Sequence, residues 1–238
     1  MTKKFHLAWF LNFVADEWNG TWGGDGGARD FTGGEFYVEM ARDLERAKFD
    51  YVLIEDKLMV STAYGGTMEY DLKHGVNPPK HDPPVPPLAV LMANATNRLG
   101  GVVPPTMSTS FYPPFLLARL CSTVDHIARG RFGWNVVTSA EDRAAQNFGL
   151  EKLYEHDERY VRASEYLELV SKLWESWEPD AVERDHTTGV YANYKKVHTV
   201  DFEGKYFKSR GPLNTAPSPP QYRPTIAQAG ASPPGREL

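Results

Sequence analysis

Short apolar runs alternate with longer amphipathic ones along this chain. Phe5 to Leu11 is predicted as a first strand and the Gly-rich Gly20 to Gly27 as a loop. From Glu35 to Lys48 the apolar residues Tyr37, Met40, Leu44 and Ala47 recur at helical spacing, which predicts a helix with one buried face. Tyr51 to Ile54 is a second strand ending in Glu55-Asp56, and a long Pro- and Gly-rich loop then runs to about Pro87. A helix over Leu88 to Asn97 precedes a strand over Leu99 to Met107. Pro113-Pro114 opens the next helix, where proline is tolerated, and Gly130 closes it as a C-terminal cap.

Phe132 to Val137 is the fourth strand. The helix after His156 carries the stripe Tyr160, Ala163, Leu167, Val170, Trp174 and Trp177, a core face rather than a cofactor box. Residues 179–220 show no helical pattern, and the apolar pieces around Gly204 predict a hairpin inserted between strands four and five. Arg223 to Ala227 is the fifth strand. Strands alternating with helices imply a parallel sheet with helices outside, an α/β fold within one domain over residues 1–238.

Composition narrows the function. A net charge of −5 argues against a nucleic-acid binder, which would be basic. The single cysteine, Cys121, makes no internal disulfide and falls in an apolar helical pattern, so it is read as a small core residue. Lys3-Lys4 and the apolar run after it imitate a signal peptide, but His6 and Asn12 interrupt the run and no cleavage pattern follows. No run approaches the roughly 18 apolar residues of a membrane span, and a cytoplasmic location is expected.

Parallel strands deliver ligand groups at their C-terminal ends. The polar residues there are Asn12, Asp56, Thr106, Asn135 and Gln228. His156 and Tyr160, four apart, share a helix face, and both can donate to an anion. The seven histidines are scattered without HExxH spacing, so no metal site is expected. There is no Gly-x-Ser-x-Gly elbow, and Gly23 to Gly27 lacks the dinucleotide fingerprint.

Three blocks, GRFGWNVVTS over Gly130 to Ser139, HDERY over His156 to Tyr160 and QAGAS over Gln228 to Ser232, together resemble the bacterial-luciferase-like flavin monooxygenases. The resemblance is to the branch of nitrilotriacetate monooxygenase component A and dibenzothiophene sulfone monooxygenase. It implies a (β/α)8 TIM-barrel type of fold, of which about five strands are visible here. It also implies reduced FMN, dioxygen and a small organic substrate, heteroaromatic, C–N or C–S containing, or riboflavin-like. Because no nicotinamide motif is visible, the reduced FMN is expected from a separate flavin reductase. The aromatic residues Phe10, Trp18, Trp22 and Tyr64 favour a flat or apolar substrate over a small polyanion.

By the same resemblance, Asp56 matches an acidic residue near the flavin, although Lys57 follows where a small residue is usual. Thr106 matches a position beside the isoalloxazine, and Asn135 one where an amide bonds the flavin's polar edge. His156 and Tyr160 match the pair that reaches the phosphate or ribityl chain, and Gly230 and Ser232 the phosphate turn. Five strands do not close an eight-stranded barrel, which usually takes about 250 residues. The chain is therefore expected to be an N-terminal portion of a longer, homo-oligomeric enzyme; the alternative is a non-catalytic flavin-binding fragment. The doublets over Gly100 to Pro105 depart from the family, whose strand is about two residues shorter there.

Overall fold

Strand β1 (Ala8–Leu11) pairs in parallel with β2 (Tyr51–Ile54), so the chain between them must cross over, and α1 (Gly34–Arg46) is the helix that does so. The structure is a computed structural model and describes residues 5–11, 33–74, 85–99, 106–230 and 232–238. Helix α1 buries Tyr37 and Leu44 of the predicted face together with Ala41, whereas Met40 is half-buried and Ala47, at the cap, is exposed. After β2 comes a short helix, α2 (Glu69–His74), inside the stretch expected to be all loop. Helix α3 (Val85–Ala95) packs against α1.

A second parallel sheet has the order β3–β4–β9, from β3 (Thr106–Ser108), β4 (Gly133–Val137) and β9 (Thr225–Ala227). The predicted strand over Leu99 to Met107 is thus seen only from Thr106, and the doublets at Gly100 to Pro105 lie outside the described residues. Helix α4 (Pro114–Ile127) joins β3 to β4. Gly130 has φ +73° and its N–H bonds to the Asp125 carbonyl at 2.9 Å, which satisfies a carbonyl of the last turn. Arg131 closes the end of α3 similarly, donating to the carbonyls of Ala93 at 2.7 Å and Thr96 at 3.2 Å.

Helix α5 (Asp142–Asn147) was not legible in the apolar pattern; α6 (His156–Trp174) was. Its buried face differs from the predicted stripe. Tyr166, Leu169 and Leu173 are buried with Ala163, Val170 and Trp174, while Tyr160 and Leu167 are half-buried. The reason is a second cover: α6 packs on α4 and also meets the 179–220 segment, whose Phe207 ring lies 5.3 Å from that of Tyr166, edge to face. Trp177 falls beyond the helix and donates to the Leu213 carbonyl at 2.6 Å.

Residues 179–220 hold two hairpins where one was predicted: β5 (Val182–Asp185) with β6 (Val190–Ala192), and β7 (Phe202–Glu203) with β8 (Lys208–Ser209), the second flanking Gly204. The second is pinned to α6 by Glu165, whose carboxylate accepts the backbone N–H groups of Lys205, Tyr206 and Phe207 at 2.8–3.0 Å. Short α7 (Pro233–Glu237) follows β9 and contacts α6. Among the described residues the strands form these two open parallel sheets and two hairpins, and no helix is long and apolar enough to cross a membrane.

Candidate functional site

The C-terminal ends of β1 to β4 and β9 border one cavity of about 520 Å³, a size typical of ligand sites. Phe10, Leu53 and the segment from Asp56 to Met59 line it, together with Thr106, Asn135, Tyr160, Gln228 and Gly230. Alternation along β4 explains why Asn135 serves the cavity. Its neighbour Trp134 is fully buried against the helices, with its ring 5.9 Å from Tyr166 and 6.4 Å from Trp174.

Parallel register sets Thr106 beside Asn135, and the Asn135 amide donates to Thr106 Oγ1 at 2.8 Å. Both are buried, so this bond fixes the amide's orientation before any ligand arrives. Asp56 follows β2 at the cavity wall. Burial pushes its carboxyl up to about 6, against a weaker opposing hydrogen bond from the Lys57 backbone. Tyr112 is close enough that the Asp56 charge adds to the effect of burial in raising its phenol.

That raised carboxyl has a consequence for stability. The unfolded chain releases the proton near pH 4, whereas the folded protein keeps it until about 6. The contribution of neutral Asp56 is complete below pH 4 and is lost as pH rises through 6. Asp56→Asn is therefore expected to match the parent at pH 3.5 and exceed it by about 3 kcal/mol at pH 8. Urea unfolding at the two pH values checks this; an equal difference at both would remove the raised pKa.

Next to Tyr160, a methyl added at Gly235 would lie 3.1 Å from both Ser232 Oγ and Tyr160 Oη. The two hydroxyls therefore flank one backbone position, which only glycine leaves open. Ser232 Oγ accepts from the Gly235 N–H at 3.3 Å as the cap of α7. The Gly230 N–H bonds to Gln228 Oε1 at 2.9 Å, and a side chain at Gly230 would run into that same amide. The His156 ring lies 5.1 Å from that of Tyr160, and His156 Nδ1 donates to Asp157 Oδ1 at 2.8 Å. With Nδ1 donating to Asp157, Nε2 can donate to an incoming anion only in the imidazolium form.

Of the residues singled out by sequence, Asp56, Thr106, Asn135, Tyr160 and Gly230 line the cavity. His156 and Ser232 do not line it but adjoin Tyr160. Asn12, Trp18 and Trp22 lie outside the described residues. Phe10 lines the cavity, whereas Tyr64 is exposed and pairs with Tyr70 away from it. Sequence reasoning passed over Ser108 and Ser139, which also line the cavity, and Arg159, which contacts Ser139. The signal for Ser108 was available, since it stands two residues after Thr106 on one strand and so on the same face.

A model of the luciferase-like monooxygenase family matches residues 7–238. Dibenzothiophene-sulfone monooxygenase of Rhodococcus erythropolis (strain XP) is 41% identical over 237 residues, 99% of this chain and 51% of that enzyme. The crystal structure of a long-chain alkane monooxygenase superposes with a TM-score of 0.90 at 40% identity, covering 100% of this chain and 54% of the other. That of a riboflavin lyase, with modified FMN and riboflavin as substrate, gives 0.84 at 34% identity, covering 99% and 52%. The chain thus spans about half the length of the relatives it matches.

Proposed function

The chain belongs to the luciferase-like monooxygenase family, and on that footing we propose that it serves a two-component monooxygenase that uses reduced FMN and dioxygen on a small organic substrate. The observation that carries the reading is the cavity at the C-terminal ends of the parallel strands, bordered by Asp56, Thr106, Asn135, Tyr160 and Gly230 together. In this reading the parallel sheets are part of a (β/α)8 barrel, and the 179–220 hairpins are an insertion between two of its units.

The residues present fit FMN. A preset polar pair, Thr106 with Asn135, suits the edge of a heteroaromatic ring, and a glycine turn beside two hydroxyls suits a phosphate. Tyr160, Ser232 and His156 would hold the phosphate end, with Thr106, Asn135 and Asp56 around the ring. Bound reduced FMN would supply the activation of dioxygen. Phe10, Leu53, Leu58 and Met59 would give the reacting space an apolar wall that limits water beside the flavin. Asp56, with its carboxyl near 6, can hold or release a proton at the cavity wall around neutral pH. That apolar wall favours a flat or apolar substrate, aromatic or sulfur-containing, over a small polyanion.

The reduced flavin would come from a separate reductase, because the sequence carries no G-x-G-x-x-G fingerprint. The purified protein is expected to consume no oxygen with NADH and FMN alone. Adding an unrelated flavin reductase should produce substrate-dependent uptake over a panel of sulfones, heteroaromatics and riboflavin, with an oxygenated product. Direct NADH oxidation by the protein would defeat the two-component reading. Uptake that yields only peroxide for every aromatic would defeat the substrate preference.

A further inference from the structure

Helix α5 borders the cavity, with Ala140, Glu141 and Ala144 of its segment among the lining residues. Leu58 and Met59, which follow β2, line it as well. Asn147 stands three residues after Ala144, on the same side of α5. Its Nδ2 donates to the Leu58 carbonyl oxygen at 2.8 Å, a bond between residues 89 apart. The segments that follow β2 and β4 are thereby joined at the edge of the cavity. A second tie runs to the loop after β3, where the Phe148 ring stacks on that of Phe111, 4.5 Å away and 7° from parallel.

Both ties are at the surface: Asn147 is exposed, and Phe148 is 47% exposed. A hydrogen bond open to water adds little net stability, because water replaces either partner readily. Helix α5 buries only Ala144 and Ala145, so little apolar area holds it down. Six residues are too few for a helix to persist once detached. The two ends of the segment are anchored separately. Before α5, the Ser139 carbonyl accepts from Arg159 Nη1; beyond it, the Leu153 N–H bonds to Asp142 Oδ1 at 2.9 Å. A short element anchored at its ends and held between them by two exposed contacts belongs to the parts of a fold that open first.

We propose that α5 is a cover on this cavity, latched by the Asn147–Leu58 bond, and that it opens there to let the ligand enter and leave. Asn147 is a positioning residue that acts through Leu58, holding the segment after β2 against α5. A site that must keep water from its reacting space, yet exchange its ligand, needs such a part. The proposal rests on the flavin-oxygenase reading only for the identity of the ligand that passes, FMN.

Amide hydrogen exchange on the parent, Asn147→Ala and Asn147→Asp tests the latch with the cavity empty. Alanine deletes the bond and is the better helix former, so a looser α5 cannot be put down to propensity. Aspartate keeps the shape without the donor. In both variants the N–H groups of Phe148, Gly149 and Leu150, bonded to the Ala145 and Gln146 carbonyls, should exchange about two- to tenfold faster. The amides of α4 should not change. Unaltered exchange at α5, an aspartate variant as closed as the parent, or equal acceleration along the whole chain each overturns the latch.

Stopped-flow mixing with FMN tests the passage. The latch bond is made whether the cavity is empty or filled, so association and dissociation should quicken by the same factor and leave Kd unchanged. A merely structural role would move Kd or the urea midpoint instead of the two rates together. Faster exchange at α5 with unchanged flavin rates overturns the proposal and leaves the flavin reading standing. A parent that binds no FMN overturns the flavin reading, while the exchange measurement decides the latch by itself.

Discussion

Trp134→Ala is expected to remove about 3–5 kcal/mol of folding stability, the range for deleting a buried tryptophan side chain. The ring is fully buried and sits between Tyr166 and Trp174 of α6, so the void opens where the sheet meets its helices. Its Nε1–H donates to the Met107 carbonyl at 3.0 Å, and that acceptor on β3 loses its partner in the variant. Trp134→Phe fills most of the volume but still lacks the donor, and should cost less than the alanine. Urea denaturation separates the two. The ligand site should respond as well, because Asn135 is the next residue and β4 is the central strand of its sheet. A Trp134→Ala protein with an unchanged midpoint would mean that the sheet–helix seam is not the core of this fold.

The same strand illustrates what can be read without coordinates. GRFGWNVVTS is an apolar run between a glycine cap and polar residues, so its identity as a buried strand with a polar end follows from local chemistry. Helix α1 and the cap at Gly130 were legible for similar reasons, one from spacing and the other from positive φ at glycine. Helix α5 was not, because its six residues carry only two buried alanines and no apolar stripe. The face of α6 was misjudged because a helix covered on two sides has no single stripe, and its second cover comes from hairpins far along the chain. Strands β5 and β6 are mostly exposed and show no core alternation.

The site divides along the same line. Thr106 and Asn135 are neighbours by parallel register, which strand order alone would suggest. The Ser139–Ser108 hydrogen bond depends on a serine at φ +63°, whose carbonyl accepts from an arginine 20 residues later, and no local pattern announces that. His156 and Tyr160 share a helix face by spacing, whereas the approach of Tyr160 to Ser232 is created by the packing of α7 on α6. Resemblance to a family grouped these residues; spacing along the chain accounted only for His156 with Tyr160.

The largest expected effect on cofactor binding lies at that approach. In the proposed site Ser232 and Tyr160 hold the FMN phosphate, and Ser232→Ala removes one hydrogen bond to a charged group, worth about 1.5–3 kcal/mol. FMN affinity should fall about ten- to a hundredfold. Riboflavin, which lacks the phosphate, should lose much less when bound in its place. Ser232 also caps α7, and losing the cap alone costs about 1 kcal/mol, so riboflavin serves as the control for that general loss. Gly235→Ala is a second probe of the same contact, since its methyl would press on both Ser232 Oγ and Tyr160 Oη at 3.1 Å. It should lower FMN affinity without deleting either hydroxyl, while Tyr160→Phe deletes one and leaves the backbone alone. Fluorescence titration of both flavins against the three variants gives the comparison. Equal losses for FMN and riboflavin in all three would detach the phosphate from this turn, because a contact to the phosphate cannot weaken a ligand that has none.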